Sequence, residues 1–477
     1  MKFPMPTRFP YRLIASIALA QLLGCAAVGP EHKVPEIPLG QGWLSTADSR
    51  TETATLARWW QTLGDPELER LVELALVRNL DLRQAEQNIE ASRAMLSRAE
   101  ALSSPTLKAS GSVQRSRTSL NGPEYNPQRS PNQTVSDVGL DASWEIDLFG
   151  SLRRQRESAE ATLQMSEAEA KGLRLAVAAE TARSYLAMRG AQRELAARQA
   201  SVEALARILE LVRRRQQAGD LPSAEVERAQ ARLDQAKAAL PAIEARRQAA
   251  AIALGLLIGG LPESRIELAA SQGAEVELGT VPVGQRADLL RRRPDIIAAE
   301  RKLASATADT GAATAELFPK LTLSASAGFR ALGGKNLFEE DSQRGAIGPL
   351  IAWRILDGGR VRAEIRASEA RQQAAAIGYE KAVLSAISDA EKALDQYGHT
   401  RQSLAAQEKA FASTGRSTAI LRQRYKLGDT SLAELLDAER ELSDQQAALA
   451  QLKTSAASDL VALYKALGGG WEPPQQP

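Results

Sequence analysis

The chain has 477 residues, with 60 Lys and Arg against 58 Asp and Glu and a formal charge of +2. This balance argues against a nucleic-acid binder, because such a protein needs a basic surface that releases counterions from phosphates. Two histidines and one cysteine exclude Cys/His metal sites and disulfide frameworks. Aromatic residues make up only 4% of the chain whereas alanine is abundant, which favours long, closely spaced helices over a globular core of large side chains.

The first residues have the features of a targeting segment. Three basic residues precede an apolar run, 13–23, that is too short to cross a bilayer as a helix. The run ends at Gly24-Cys25, which contains the only cysteine of the chain and resembles the cleavage site of bacterial lipoproteins. We therefore predict a lipoprotein signal peptide at 1–24, covalent lipid (palmitate) on Cys25 and an anchored N-terminal segment at 25–65. A buried structural cysteine is the alternative.

The rest of the chain repeats itself. An offset of 209 residues (353 − 144) places Trp144 on Trp353 and Gly219 on Gly428. An offset of 214 (319 − 105) aligns the part of each half that precedes its tryptophan, with Pro105 on Pro319. Glycine turns that coincide at one offset predict two structural halves. The predicted boundaries are 66–261 for the first half, 262–281 for the linker, 282–470 for the second half and 471–477 for a C-terminal tail.

Each half contains one segment that predicts a very long helix. No proline occurs in 152–217 or in 361–427, and an unbroken helix of this length would reach about 100 Å. In the segment that follows the second of them, Leu435, Leu442 and Leu449 keep a spacing of seven residues. This spacing predicts coiled-coil packing, with an ordinary helical bundle as the alternative.

Four shorter stretches alternate between apolar and polar residues. In the clearest of them, Val138, Leu140 and Trp144 alternate with polar side chains. The length of these stretches suits tilted strands that cross a bilayer, with one face toward lipid and the other toward an aqueous lumen. A periplasmic sheet packed on helices is the alternative. The predicted strands lie at about 105–117, 136–148, 319–330 and 345–356.

Four strands cannot close a barrel, and an open sheet edge cannot lie in lipid because its backbone groups lack partners. Single-chain barrels begin at eight strands, so several copies must pool their strands. Two copies would give 2 × 4 = 8 strands, a barrel filled by its own side chains, whereas three give 3 × 4 = 12. A conduit therefore favours a trimer. Three acids of the second strand segment are then expected to face the lumen and to favour cations: Asp141, Glu145 and Asp147.

The sequence LLRRRPDI at 289–296, followed by AAER at 298–301 and by Phe318-Pro319, resembles the TolC-type outer membrane factors. The likeness is to their lipoprotein branch, typified by OprM and NodT-like proteins, and it covers nearly the whole mature chain. It implies a mixed α+β membrane protein. Three chains would form a 12-stranded β-barrel that continues into a long periplasmic α-helical barrel, with an equatorial domain that contains the linker and the tail.

The resemblance also implies a function. The chain would be the outer-membrane exit duct of a tripartite efflux system that passively exports small molecules and drugs. Its implied partners are a periplasmic adaptor and an inner-membrane transporter of the RND type. We predict no enzymatic activity, no catalytic residues, and no cofactor or metal besides the lipid on Cys25. The alternatives are the exit duct of a type I protein-secretion system and a lipid-anchored periplasmic coiled-coil scaffold that conducts nothing.

Adaptor docking and a periplasmic gate are implied at the tips of two helix hairpins. The gate would contain Glu434 and Asp437, which are three residues apart on one helix face and would supply six carboxylates to a trimer. The family also pairs the residues at Tyr425 and Glu225 by a hydrogen bond that holds the aperture shut. The implied docking residues are Gly219, Leu221, Ser223, Gly428, Thr430 and Ser431.

The chain departs from the family at two gate positions. Glu434 is a longer acid where the family has Asp. Thr430 stands where the family has an arginine that joins a second latch. The sequence leaves open how the closed state is held, and Arg422 and Arg424 are candidates to replace that arginine.

Overall fold

A computed structural model describes residues 27–40, 42–44, 56–264, 276–279, 281 and 283–470. Four predicted features lie outside the described residues: the signal peptide, the lipidation site at Cys25, the C-terminal tail and most of the linker.

Within these ranges the chain forms nine α-helices and four β-strands. Short 3-10 turns occur at Leu56–Leu63, Pro262–Ser264, Arg286–Asp288 and Glu340–Ser342. The helices are α1 (Pro66–Arg78), α2 (Leu80–Ala101), α3 (Ser151–Gln217), α4 (Ser223–Ala238), α5 (Leu240–Leu257), α6 (Leu289–Arg292), α7 (Pro294–Ala315), α8 (Arg360–Leu427) and α9 (Leu432–Ala466). The strands are β1 (Thr106–Arg117), β2 (Asn132–Ile146), β3 (Lys320–Leu332) and β4 (Gln343–Ala352).

The two long helices start in the same way. α3 has 67 residues and α8 has 68. Each follows a glycine with positive φ, Gly150 (φ 82°) or Gly359 (φ 86°). The Asp147 carboxylate accepts from the Arg153 amide at 2.8 Å, and the Asp357 carboxylate accepts from the Val361 amide at 2.9 Å. These bonds satisfy amides that a helix start leaves without an intrahelical partner.

The four strands form one antiparallel sheet in the order β1-β2-β3-β4, which confirms the prediction of four strands per chain. β2 begins at Asn132, four residues before the predicted start, because the ladder with β1 continues to Asn132 opposite Arg117. β4 ends at Ala352, four residues before the predicted end, and the register places Pro349 in this edge strand.

The register sorts the side chains by polarity. The residue numbers of each opposite pair add up to 249 in β1 and β2, as in Leu107↔Ala142. They add up to 467 in β2 and β3, as in Trp144↔Leu323. One face therefore contains Leu107, Leu140, Trp144, Leu323 and Ile347, and the other is rich in Ser, Thr, Asp and Arg. We call these the apolar face and the polar face.

A tryptophan fastens each half of the sheet to a preceding helix. The Trp144 indole donates to the Ser103 carbonyl at 2.9 Å, just beyond the end of α2. The Trp353 indole donates to the Leu317 carbonyl at 2.9 Å, just beyond the end of α7. The donors are 209 residues apart and the acceptors 214 (317 − 103), the two offsets found in the sequence.

The chain divides into two compact units, and each takes segments from both sequence halves. The first contains the described residues of Met1–Glu36, Ile89–Met165 and Ala299–Tyr379, and it includes the sheet. The second contains those of Ile37–Asn88, Ser166–Ala298 and Glu380–Pro477. In the second unit Trp59 stacks on Tyr464 with ring centroids 5.4 Å apart, and both side chains are buried. Among the described residues, every helix is too short or too polar to span a bilayer.

Candidate functional site

Two helix-hairpin tips of the second unit have the same backbone geometry. Gly219, after α3, has φ 83°, and Gly428, after α8, has φ 85°. Beyond each glycine, an amide returns to the helix: Asp220 to the Arg215 carbonyl and Asp429 to the Arg424 carbonyl, both at 2.9 Å. These bonds form the glycine-terminated helix end known as a Schellman motif, in which a side chain at the glycine position would be strained.

The following helix starts differently at the two tips. α9 is capped by Ser431, whose hydroxyl accepts from the Glu434 amide at 3.2 Å. α4 follows Pro222, which provides no side-chain cap. The second tip therefore has a hydroxyl that orients the helix carrying Glu434 and Asp437.

Behind the tips, the ends of α3 and α8 pack with the starts of α4 and α9. The cluster includes the Tyr425 ring and eight aliphatic side chains, all less than a tenth exposed. We call it the tip cluster, and it holds the two tips at a set spacing. Its members are Leu205, Leu209, Val212, Ala229, Leu233, Tyr425, Leu432, Leu435 and Leu436.

The two predicted gate acids are exposed on α9. The Thr430 hydroxyl is hydrogen-bonded to the Glu434 carboxylate. The Asp437 carboxylate lies 3.4 Å from the Arg232 guanidinium of α4. Thr430, which stands in place of the family's arginine, therefore orients one acid without neutralising it.

The predicted hydrogen bond between Tyr425 and Glu225 is absent from the described chain. The Tyr425 hydroxyl is buried without a hydrogen-bond partner among the described residues. Glu225 instead forms an ion pair with Arg228 at 3.0 Å. Burial raises the pKa of the Tyr425 phenol, and the Arg215 guanidinium lies 5.0 Å from the centre of its ring. Tyr425 is held by packing, because its ring belongs to the tip cluster.

The two arginines proposed as replacements are both engaged within the chain. Arg422 binds the Glu439 carboxylate in a two-point ion pair, with the Nη2–Oε2 contact at 2.6 Å. This hydrogen bond raises the pKa of Arg422, and Glu439 is only 4% exposed. Arg424 donates to the Asp429 carbonyl at 3.1 Å. Sequence reasoning missed Glu439, and its position one helical turn after Leu435 and Leu436 was the only available indication.

The predicted lumen acids have different surroundings from those expected. Asp141 accepts from the Ser110 hydroxyl at 2.9 Å, and Glu145 lies on the same polar face. Asp147 lies beyond the end of β2 and binds the start of α3 instead. The register adds a third strand acid, Asp137, which forms ion pairs with Arg330 and Arg344.

The expected bias of the sheet toward cations stays a prediction, and the basic residues on the same face argue against it. Asp137, Asp141 and Glu145 share the polar face with basic residues from three strands, which offset their charge. Sequence reasoning missed these basic residues because they are far away along the chain, and only the strand register places them on the same face. The basic residues are Lys108, Lys320, Arg330 and Arg344. Of the four, Arg330 and Arg344 bind Asp137, and Lys320 pairs with Glu316.

The sequence matches the model of the family described as outer membrane efflux protein, over residues 71–260 and 286–469. It is 32% identical to nodulation protein T of Rhizobium leguminosarum bv. trifolii over 463 residues, which cover 95% of this chain and 96% of the relative. It is 31% identical to the solvent efflux pump outer membrane protein SrpC of Pseudomonas putida over 473 residues, 97% of this chain and 98% of the relative.

The fold matches solved outer-membrane channels. The OprN channel superposes with a TM-score of 0.86 at 33% identity, covering 93% of this chain and 99% of that one. The open state of the MtrE channel of Neisseria gonorrhoeae superposes with a TM-score of 0.82 at 28% identity, covering 95% of this chain and all of that one.

The chain belongs to the outer membrane efflux protein family. It is a subunit of a trimeric, TolC-like channel in the outer membrane, and it forms the exit duct of an efflux system. Its partners are a periplasmic adaptor and an inner-membrane pump. Three copies of the sheet described above supply the strands, which explains why, among the residues that the structure describes, β1 and β4 have no neighbour on their outer sides.

Proposed function

We propose that this channel exports small organic molecules passively, through a gate formed by acidic rings at the hairpin tips. It catalyses no reaction and uses no cofactor, and Cys25 carries the lipid that anchors the chain. The proposal is carried by one observation: Glu434 and Asp437 are exposed on a helix that the tip cluster holds beside both tips. The relation to a solvent efflux pump protein supports small apolar compounds as cargo.

The adaptor docks at the two tips of each subunit. Gly219, Ser223, Gly428 and Ser431 are exposed, and Leu221 and Thr430 are half-buried. Because the tips share their backbone geometry, a trimer offers 3 × 2 = 6 similar docking positions. The adaptor therefore contacts residues directly beside the gate acids, and docking can change the packing of the tip cluster.

The gate selects by charge. Six carboxylates around one axis attract cations and disfavour anions while the aperture is closed. The closed arrangement of each subunit is held by Arg422 with Glu439 and by Thr430 with Glu434. Among the described residues, these two contacts take the place of the two hydrogen-bonded latches that the family uses to hold the aperture shut.

Single-channel currents in a planar bilayer test the proposal. The variant Glu434→Gln/Asp437→Asn should conduct more and lose cation preference. A matched control neutralises two exposed acids of α8 outside the predicted rings, Glu380→Gln and Glu408→Gln, and should behave like the unchanged protein. Equal behaviour of all three proteins would remove the gate and retain the duct. A correctly inserted trimer that carries no current would overturn the duct itself.

A further inference from the structure

Two arginines stand out at one end of the apolar face. The register places Arg115 opposite Thr134 and Arg117 opposite Asn132, on the same face as Leu107 and Val113. Both are exposed, and neither has an ion pair or hydrogen bond through its side chain to another described residue. Within one subunit these two guanidinium groups lack an anionic partner among the described residues. On a lipid-facing surface they need one, because a charge near lipid is costly unless it lies at the polar interface.

An apolar groove lies on the same face, about 13 Å from Arg115 along β1. Its volume is about 630 Å³. Gly111 leaves room in its floor, where an added Cβ would meet its nearest neighbours at 4.0 Å. Phe338, which is 75% exposed, stands against Phe329 with ring centroids 5.6 Å apart. The groove is lined by Ala109, Gly111, Val138, Leu140, Phe329 and Phe338.

Along the strand, the two arginines and the groove follow the same order as the headgroups and acyl chains of an outer leaflet. β1 follows α2 and runs toward the loop at 118–131, so the arginines lie at the end of the sheet remote from the helices. Arg115 and Arg117 are four and six residues beyond Gly111, about 13 and 20 Å along an extended strand. Because the helices are periplasmic, this end of the sheet faces the exterior. The charges then lie at headgroup depth and the groove at acyl-chain depth.

We propose that this surface binds a phosphorylated, multiply acylated lipid of the outer leaflet, which has the chemistry of lipid A. Its phosphates bind Arg115 and Arg117, because a guanidinium pairs with phosphate oxygens through two parallel hydrogen bonds. One of its acyl chains fills the groove beside Phe338. A zwitterionic phospholipid fits less well because its own ammonium group offsets its phosphate charge. The inference rests on the outer-membrane location and is independent of the acidic gate.

Binding of bisphosphorylated, hexa-acylated lipid A to the purified trimer in detergent provides the test, measured by native mass spectrometry. Arg115→Ala/Arg117→Ala should weaken binding at least about tenfold, which corresponds to about 1.4 kcal/mol. Gly111→Leu keeps both charges and fills the groove, and should also weaken binding. A matched control, Arg207→Ala/Arg214→Ala, removes two exposed charges of α3 and should bind like the unchanged protein.

Two results would overturn the proposal. One is equal affinity for lipid A in the arginine variant and in the control. The other is equal affinity of the unchanged trimer for lipid A, phosphatidylglycerol and phosphatidylethanolamine, which would show an ordinary lipid annulus. Trimer mass and single-channel current are recorded for every variant, so that misfolding is distinguished from lost lipid binding.

Discussion

The side chains of Asn79 and Arg293 make equivalent hydrogen bonds in the two halves of the chain. The Asn79 amide donates to the Leu257 carbonyl at 3.0 Å, and the Arg293 guanidinium donates to the Ala466 carbonyl at 3.2 Å. Each acceptor is the last residue of a helix, α5 or α9, whose final carbonyls have no intrahelical partner. The donors differ by 214 residues (293 − 79) and the acceptors by 209 (466 − 257), so both follow the sequence repeat.

Arg293 makes further contacts that Asn79 does not. It donates to the Ala386 carbonyl of α8 at 3.3 Å and forms ion pairs with Asp295 at 2.7 Å and Asp389 at 3.4 Å. We predict that Arg293→Met lowers the free energy of unfolding by about 2–3 kcal/mol, since it removes several hydrogen bonds from a charged donor. Asn79→Ala should cost less, about 1–2 kcal/mol, since it removes the bond to Leu257 and the cap of α2, where the Asn79 side-chain oxygen accepts from the Asp81 and Leu82 amides. Urea denaturation of the two variants checks this, and equal losses would contradict it.

Tyr425→Phe should leave the closed channel unchanged. The variant removes a buried hydroxyl that has no hydrogen-bond partner among the described residues. Removing an unsatisfied buried group should stabilise the protein slightly, by up to about 1 kcal/mol. Thermal denaturation and closed-state conductance are the measurements. A clear rise in conductance would show instead that this hydroxyl forms a latch in the assembled trimer.

The ion pair between Arg422 and Glu439 should contribute more to the stability of the folded chain than an ordinary surface ion pair does. Arg422→Met leaves Glu439, which is 4% exposed, as a buried charge without its partner. We expect a loss of about 3 kcal/mol and faster amide hydrogen exchange at the start of α9. The double variant Arg422→Met/Glu439→Leu should recover most of that stability, because apolar residues replace the whole pair. Failure of the double variant to recover would contradict this account.

The acidic and basic residues on the polar face of the sheet should offset each other in their effect on the ion selectivity of the pore. Arg330→Gln/Arg344→Gln frees Asp137 from both of its partners and should increase the preference of the pore for cations. Reversal potentials in a salt gradient measure this preference. Arg354→Gln, at a residue beyond β4 that pairs with Glu316, is the matched single-charge control. An unchanged reversal potential in the double variant would place these residues outside the conducting path.

Stability should fall at alkaline pH. Burial, together with the hydrogen bond to Asp65 at 2.8 Å, raises the pKa of Tyr185 above its ordinary 10.0. Above pH 10 the unfolded chain loses this proton while the folded chain keeps it. The contribution of Tyr185 to the free energy of unfolding is therefore complete below pH 10. It is lost as the pH rises toward the raised pKa, by about 1.4 kcal/mol per pH unit for one proton.

The variant Tyr185→Phe should be less stable at pH 8 and should depend less on pH between 9.5 and 11. Denaturation midpoints across this interval provide the check. Tyr125→Phe, at an exposed residue of the loop 118–131, is the control and should keep the full slope. The same slope in Tyr185→Phe and in the control would exclude Tyr185 as the source.

Much of the architecture follows from local pattern. Strict alternation along 138–144 predicts a strand because neighbouring side chains point to opposite sides of the backbone, and the strand occurs there. Glycines such as Gly219 and Gly428 mark helix ends because they adopt positive φ without strain. The family assignment likewise needed only LLRRRPD and the motifs around it. Such features depend on a few consecutive residues, so the sequence alone was sufficient for them.

Partners that are distant along the chain required the tertiary structure. Asp137 meets Arg330 and Arg344 only because β2 pairs with β3 and β3 with β4 in one register, and a shift of one residue would reverse every side chain. In the same way, Arg422 finds Glu439 and Tyr425 loses its expected partner through the packing of four helix ends. Periodicity along the chain determines which residues share a face. Only the packing of distant segments determines which charges on that face meet, because electrostatic pairing depends on separation in space.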